Sequence, residues 1–347
     1  MNITSKESTL VRERKSNIEL LRIISILLVM ALHADYLALS PPSQSEISTT
    51  LGTAFARGYV EGLSCVCVNV FILISGWFGI HLKIRRIFEL IFQIWFISFV
   101  VLGILWFAGL TGEIGVKEWI NLLLMKSGGY WFVRAYLLLY IFSPILNAFV
   151  ENSHQQLIKN TLISFYIMQT VFGFYNSDVW FSEGYSPLSF MGLYVLGRYM
   201  KLYPNKWMEN KPIIDIVIFF TISAFTTVCA LALTSLFPKG ATIMFLYSSP
   251  FVITASIFLF LSFTKITMHS RVINWIATSS FAAYLVHCFP YFFQPYYLDL
   301  IKHWYDTKHL IIFFMLSFCY IIVIFTLSII LDKVRIIVWN RFVNMFL

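Results

Sequence analysis

The chain has 347 residues, of which 59% are hydrophobic and 12% charged, with a formal net charge of +8 and a mean hydropathy of +0.78. A soluble domain carries roughly 25% charged residues, so no soluble core could hide this much apolar side chain, and lipid must solvate part of it. The apolar runs are continuous rather than alternating, which excludes a barrel and predicts spanning helices whose backbone groups are satisfied internally.

Runs of about 17–25 apolar residues predict spans at 18–36, 60–80, 87–108, 131–149, 157–175, 187–203, 213–237, 241–263, 273–293 and 310–331. The expected fold is an all-α integral membrane protein, a polytopic bundle of about ten transmembrane helices. Residues 1–17 and 332–347 are expected to be cytoplasmic end segments of one transmembrane domain, 18–331. The first apolar run is too long for a signal-peptide core and lacks a clear small-residue cleavage site, so it reads as a retained helix.

The basic residues cluster between spans. Lys6, Arg12, Arg14 and Lys15, then Lys83, Arg85 and Arg86, then Arg198, Lys201, Lys206 and Lys211, and finally Lys333, Arg335 and Arg341 all fall on one side. The other side holds fewer: Arg57, Lys117, Lys126, Lys239, Lys302 and Lys308. This bias predicts that both termini are cytoplasmic, in a multi-pass protein of the cell (inner) membrane. Basic clusters between apolar spans are not a nucleic-acid-binding stripe, so no nucleic-acid partner is expected. The expected surroundings are membrane lipids.

The long connections 37–59, 109–130, 176–186 and 294–309 are expected outside the cytoplasm. They carry Tyr130, Tyr175, Trp180, Tyr185, Tyr296, Tyr297 and Trp304. Such rings either anchor the chain at the lipid interface or stack on the C–H faces of sugars. Cys65, Cys67, Cys229, Cys288 and Cys319 lie in apolar stretches with no disulfide or metal spacing, so they read as small buried hydrophobes and no metal is expected.

Ionisable residues inside spans are the informative ones, because lipid does not tolerate them without a reason. The first span holds Arg22 and His33, eleven residues apart. At about 100° per residue they share one helix face, and the rise between them is ~16.5 Å. Arg22 then sits near the cytoplasmic end, as a snorkelling anchor or as part of an internal path. His287, in the ninth span, reaches the depth of His33, so the two could share a polar pocket. Arg134 opens the fourth span, either snorkelling or serving an anionic donor or developing oxyanion. Asn69, Ser75 and Gln169 read as helix–helix hydrogen-bonding residues. Lys83, Arg85, Arg86 and Arg198, with Arg22, form a cytoplasmic cluster that suits either a positive-inside signal or a phosphate-binding mouth, since arginine matches phosphate with two donors.

These residues carry a resemblance. Ser16-Asn17-Ile18-Glu19-Leu20-Leu21-Arg22 running to Ala31-Leu32-His33 resembles the first helix of the membrane-bound acyltransferase-3 family, with ten residues between its arginine and its histidine. Asn69 to Phe78, Tyr130-Trp131-Phe132 through Ser143-Pro144 to Asn147, Leu196-Gly197-Arg198-Tyr199 and Tyr284-Leu285-Val286-His287 extend the likeness in order along nearly the whole chain. The family's arginine pair at the start of the third span is matched by Lys83-Ile84-Arg85-Arg86, with lysine in the first place.

The resemblance implies transfer of an acetyl or other short acyl group from cytoplasmic acetyl-CoA (acyl-CoA) to a hydroxyl of a cell-surface polysaccharide or its lipid-linked glycan precursor. His33 then maps onto the family histidine and Arg22 onto the family arginine. The expected roles are His33 as general base or transient acyl carrier, Arg134 or His287 at the oxyanion, and Arg22, Lys83, Arg85, Arg86 and Arg198 on the coenzyme phosphates. If a hydrolase-like second stage is needed, another chain supplies it or the membrane domain completes the transfer. The competing readings are a flippase for a lipid-linked or polymeric glycan, and a scaffold whose polar residues only pack helices.

Overall fold

The computed structural model describes residues 15–126, 128–175, 179–238 and 240–346. Lys6, Arg12, Arg14 and Lys239, and most of the segment 1–17, lie outside them. Every regular element among the described residues is helical. Six helical stretches are long and apolar enough to cross a membrane: Ser16–Leu37, Leu51–Phe78, Ile84–Phe107, Trp131–Asn152, Pro212–Leu236 and Leu310–Val343. A seventh exists if Arg271–His287 and Pro290–Thr307, bent by 60° at their junction, count as one.

In chain order, α1 (Ser16–Leu32) continues into a wide π turn, His33–Leu37, followed by a short α2 (Gln44–Thr49). Helices α3 (Leu51–Ser64) and α4 (Cys67–Phe78) form one span interrupted at Cys65–Val66. Then come α5 (Ile84–Phe107), α6 (Val116–Leu123), α7 (Trp131–Asn152) and α8 (Gln155–Met168) with its own π turn, Gln169–Tyr175. The chain goes on through α9 (Pro187–Leu202), α10 (Pro212–Leu236), α11 (Gly240–Met244) and α12 (Pro250–Thr264). It ends with α13 (Arg271–Ala277), α14 (Phe281–His287), α15 (Pro290–Phe292), a π turn at Phe293–Leu298, α16 (Asp299–Thr307) and α17 (Leu310–Phe346).

The expected spans 187–203 and 241–263 correspond to shorter helices, whereas 157–175 is helical throughout, as α8 and its π turn, without being among the six apolar spans. α9 has 16 residues and α12 has 15, a rise of ~24 Å or less against a hydrocarbon core of ~30 Å. Their starts are set by the sequence: Pro187, Pro212 and Pro250 each occupy the first helical turn, where the missing N–H costs nothing. The expected span 273–293 is also broken, because Thr278–Ser280 turns between α13 and α14 and Pro290 starts a new direction. Conversely, the boundary expected after residue 331 falls inside α17, which runs on to Phe346.

Two sequence features explain how the helices fit. Pro144 lies inside α7 and cannot donate to the Tyr140 carbonyl; the Ser143 hydroxyl donates to it instead, at 2.7 Å. Gly76 of α4 and Gly197 of α9 let two backbones touch: a Cβ on Gly76 would sit 2.3 Å from the Tyr194 carbonyl oxygen, so only glycine permits this crossing. The large exposed apolar side chains, such as Ile104, Phe107, Ile311 and Phe318, then face lipid. α1 runs through the middle of this arrangement, packed against α3, α4, α12, α13, α14 and α17.

Candidate functional site

The C-terminal ends of α1 and α14 bring the two histidines into contact. His33 Nδ1 lies 3.0 Å from His287 Nε2, and the ring centroids are 5.1 Å apart. His287 is fully buried at the end of α14, and its Nδ1 lies 2.6 Å from the Ala283 carbonyl oxygen one turn earlier. A carbonyl only accepts, so His287 Nδ1 carries a proton. In the neutral ring, Nε2 is then an acceptor, and His33 Nδ1 must donate to it. His33 Nε2 is left with an unshared pair. This is the protonation pattern a general base needs, oriented by a second ring as in a triad.

His33 opens on a narrow cavity of about 40 Å³ lined by Ile26 and Val29 of α1, Val68 and Phe71 of α4, Phe132 of α7 and Tyr284 of α14. Arg22, Ile26, Val29 and His33 follow one another at helical spacing, so the face expected from the sequence is the face that lines the cavity. Towards the other end of α1, Arg22 is half-buried, pairs with Glu19 at 2.7 Å and lies within electrostatic reach of Tyr136. Tyr136 in turn shares a hydrogen bond of 3.3 Å with Ser75. Asn69 donates to the Tyr247 carbonyl at 3.0 Å, in the turn between α11 and α12, so its bond ties a helix to a turn rather than to another helix. Gln169 is buried with neither amide atom bonded, so the expected helix–helix role is not seen there either.

Trp131 and Tyr247 also line the cavity, and with Tyr185 they form a compact aromatic group: Trp131 lies 4.5 Å from Tyr185, and Tyr185 4.9 Å from Tyr247. Tyr130 and Tyr297, counted among the groove aromatics from sequence, are instead fully buried, with hydroxyls donating to the Leu285 and Met30 carbonyls.

The remaining site candidates are spread more widely. Arg134 is exposed and donates to the Met125 carbonyl at 2.7 Å, bracing the approach to α7. The other basic residues sit at the opposite end of α7. Lys83 is exposed and its amide donates to the Tyr140 hydroxyl; Arg86 pairs with Glu89 at 2.9 Å; Arg198 pairs with Glu151 at 3.1 Å. Gly79, with φ +74°, lets the Arg198 guanidinium close in, since a Cβ there would stand 3.0 Å from it. Arg85 lines a separate apolar cavity with Phe88, Trp95 and Trp339.

Sequence reasoning missed a second buried polar cluster beside the first. Arg57 is 2% exposed. It donates to Asp35 at 2.9 Å, to both oxygens of Glu46 at 2.7 and 2.8 Å, and to the Ser40 carbonyl at 2.5 Å. Tyr305 donates to Glu46 at 2.7 Å, and its ring carries the guanidinium at 5.0 Å. Burial opposes ionisation of Glu46, but the hydrogen bonds from Tyr305 and Arg57 outweigh it and hold the carboxyl below its ordinary range. Glu61 is fully buried near this cluster with neither carboxyl oxygen bonded. The available signal was the position of Arg57 within the Leu51–Phe78 stretch, a charge inside an apolar span that calls for acids such as Asp35 and Glu46 nearby in sequence.

Cys288 was also missed. Its thiol lies 3.3 Å from His287 Nε2 and 3.6 Å from His33 Nδ1. Cys65 and Cys67 are buried as expected, Cys229 is half-buried and Cys319 exposed.

A family model described as an acyltransferase domain (Acyl_transf_3) matches residues 15–333. Comparison with curated proteins and with solved structures returns no match.

Proposed function

The chain belongs to the acyltransferase-3 family of membrane acyltransferases, and from that premise we propose that it moves an acetyl or other short acyl group from cytoplasmic acyl-CoA to a hydroxyl of a cell-surface polysaccharide or its lipid-linked precursor. In this reading the protein resides in the cell membrane with both termini cytoplasmic. The short helices α8, α9 and α12 and the broken pair around α14 complete about ten crossings.

The observation that carries the reading is the His33–His287 pair. With Nδ1 committed to His287, His33 Nε2 is the one nitrogen of that ring free to act. It takes the proton of the acceptor hydroxyl as the oxygen attacks the thioester carbonyl, then returns it to the departing sulfur. Hydroxyl and acyl-CoA thereby become ester and free CoA thiol, and His33 is regenerated. Both nitrogens of His287 are engaged, so it orients the base rather than serving the oxyanion. The aromatic group of Trp131, Tyr185 and Tyr247 offers flat faces to a sugar beside that base. Arg22 lies on the stripe towards the opposite end. With Lys83, Arg86 and Arg198 it suits the coenzyme phosphates, which would compete with Glu19, Glu89 and Glu151 for these guanidiniums.

The test is binding of labelled acetyl-CoA to purified protein, with mass spectrometry of the surface glycan from cells carrying wild type or His33→Ala. The wild type should bind the coenzyme and yield acetylated glycan, and the variant should insert normally yet yield none. Full acetylation by His33→Ala, or movement of unmodified glycan without any need for the coenzyme, would overturn the reading.

A further inference from the structure

Three ligand-type side chains meet at one point in the bundle, and the base relay uses two of them. The third is Cys288, 1% exposed and capping α14. The three atoms His33 Nδ1, His287 Nε2 and Cys288 Sγ form a triangle with edges of 3.0, 3.3 and 3.6 Å. Around tetrahedral zinc, with Zn–N of about 2.0–2.1 Å and Zn–S of about 2.3 Å, two nitrogens stand ~3.4 Å apart, and a nitrogen and a sulfur ~3.6 Å. Each observed edge is within about 0.4 Å of that geometry, a gap that small ring rotations close.

His287 already holds the tautomer a metal requires. Its Nδ1–H is tied to the Ala283 carbonyl and its Nε2 lone pair points into the triangle, the outer hydrogen bond that metal-bound histidines make. Two imidazoles and a thiolate select zinc-like cations over magnesium or calcium.

We propose that His33, His287 and Cys288 form a three-ligand site for a soft divalent cation, zinc above all, and that its occupation switches acyl transfer off. Two protons move on binding. The Cys288 thiol loses its proton to solvent and becomes the thiolate ligand. His33 turns its Nδ1 lone pair to the metal, so its proton shifts to Nε2. The ring stays neutral, but Nε2 now bears a hydrogen and cannot accept one from a hydroxyl. The metal therefore disables the base without touching the coenzyme or the acceptor. The switch rests on the role given to His33 under Proposed function, whereas the site itself does not.

The experiment separates the two. Purified full-length protein in detergent, stripped with chelator, is titrated with cobalt(II) as a spectroscopic stand-in for zinc. A thiolate-to-cobalt charge-transfer band at one equivalent, displaced by zinc, is expected. It should vanish in both Cys288→Ser and Cys288→Ala. In parallel, release of CoA thiol from acetyl-CoA in membranes supplied with total surface glycan should fall ~10-fold or more with zinc for wild type, and by under ~2-fold for Cys288→Ser. This range follows from losing one of three ligands, since even outer-shell changes alter affinity 10–100-fold. Absence of the band in wild type, or its persistence in both variants, overturns the site. Zinc that binds and leaves transfer unchanged, or raises it, overturns the switch. Binding with no transfer even in chelated wild type overturns the acyltransferase reading and the switch with it, and leaves the site standing.

Discussion

Two polar clusters lie side by side on the same wide turn, His33–Leu37, and they are built on opposite rules. At Arg57 the chain has assembled charges and saturated the guanidinium and Glu46: five hydrogen bonds and a ring face converge on these two groups, although one oxygen of Asp35 and both of the neighbouring Glu61 stay unbonded. At His33 it has assembled neutral rings and left one nitrogen free. The first pattern fixes the backbone. The second holds a reactive atom in place while keeping its lone pair available. In a low-dielectric interior an unsatisfied polar atom is costly, so the side chain left under-bonded beside a cavity points to chemistry and the saturated one to structure.

Four changes test that division. The largest effect is expected from His33→Ala, which should lower acyl transfer about 10²–10⁴-fold, the contribution of a positioned general base, with thermal unfolding in detergent unmoved. Loss of stability in step with activity would show that the ring only packs.

Arg57→Ala should do the reverse. Removing one partner leaves Asp35 and Glu46 facing each other in the interior, and breaking a buried pair costs ~3–5 kcal/mol. Calorimetry in detergent should show a sharply lowered melting temperature, whereas a wild-type melt would remove the idea of a structural lock.

His287→Ala comes third, on the order of 10²-fold in activity and less than loss of the base itself. As a positioning residue it should lower kcat and kcat/KM together, with KM little changed. A change confined to KM would place His287 in substrate binding instead.

The smallest effect concerns Glu46. Its carboxyl titrates below the ordinary range when folded, so its contribution to stability is present above the unfolded carboxylate value and fades as pH falls through the folded one. The gap in melting temperature between wild type and Glu46→Gln should accordingly be widest near neutral pH and close under acid. A gap that widens with acid would reverse the sign of this linkage.

Much of this contrast could be read from residue order, and some of it could not. The continuous apolar runs locate α1, α5, α7 and α10 within a few residues, and the start but not the end of α17, because lipid imposes length and composition on a spanning helix. Hydropathy was blind to the break around Met244–Ser249, where Phe245, Leu246 and Tyr247 are buried and apolar, and to Thr278–Ser280, three small polar residues between apolar flanks. The meeting of His33 and His287 was foreseeable from helix rise and sidedness, which place both at one depth. Cys288 was not, because its significance lies in an approach between segments 254 and 255 residues apart that no spacing rule covers. The role of Arg57 was missed for a different reason: counted as one more loop charge, it is a buried countercharge whose acids, Asp35 and Glu46, come from two separate segments of chain.

The π turn at His33–Leu37 has one more consequence. A turn of this kind accommodates an extra residue relative to an α-helix, so it acts as a spacer in the backbone itself. Remove one residue from it and the helix could relax to ordinary pitch with His33 still in place, while Asp35 and everything after it would swing about 100° around the axis. The His33 ring and the anchored loop are thus geared together by a single residue's worth of slack. A one-residue deletion would disengage them more cleanly than any side-chain substitution.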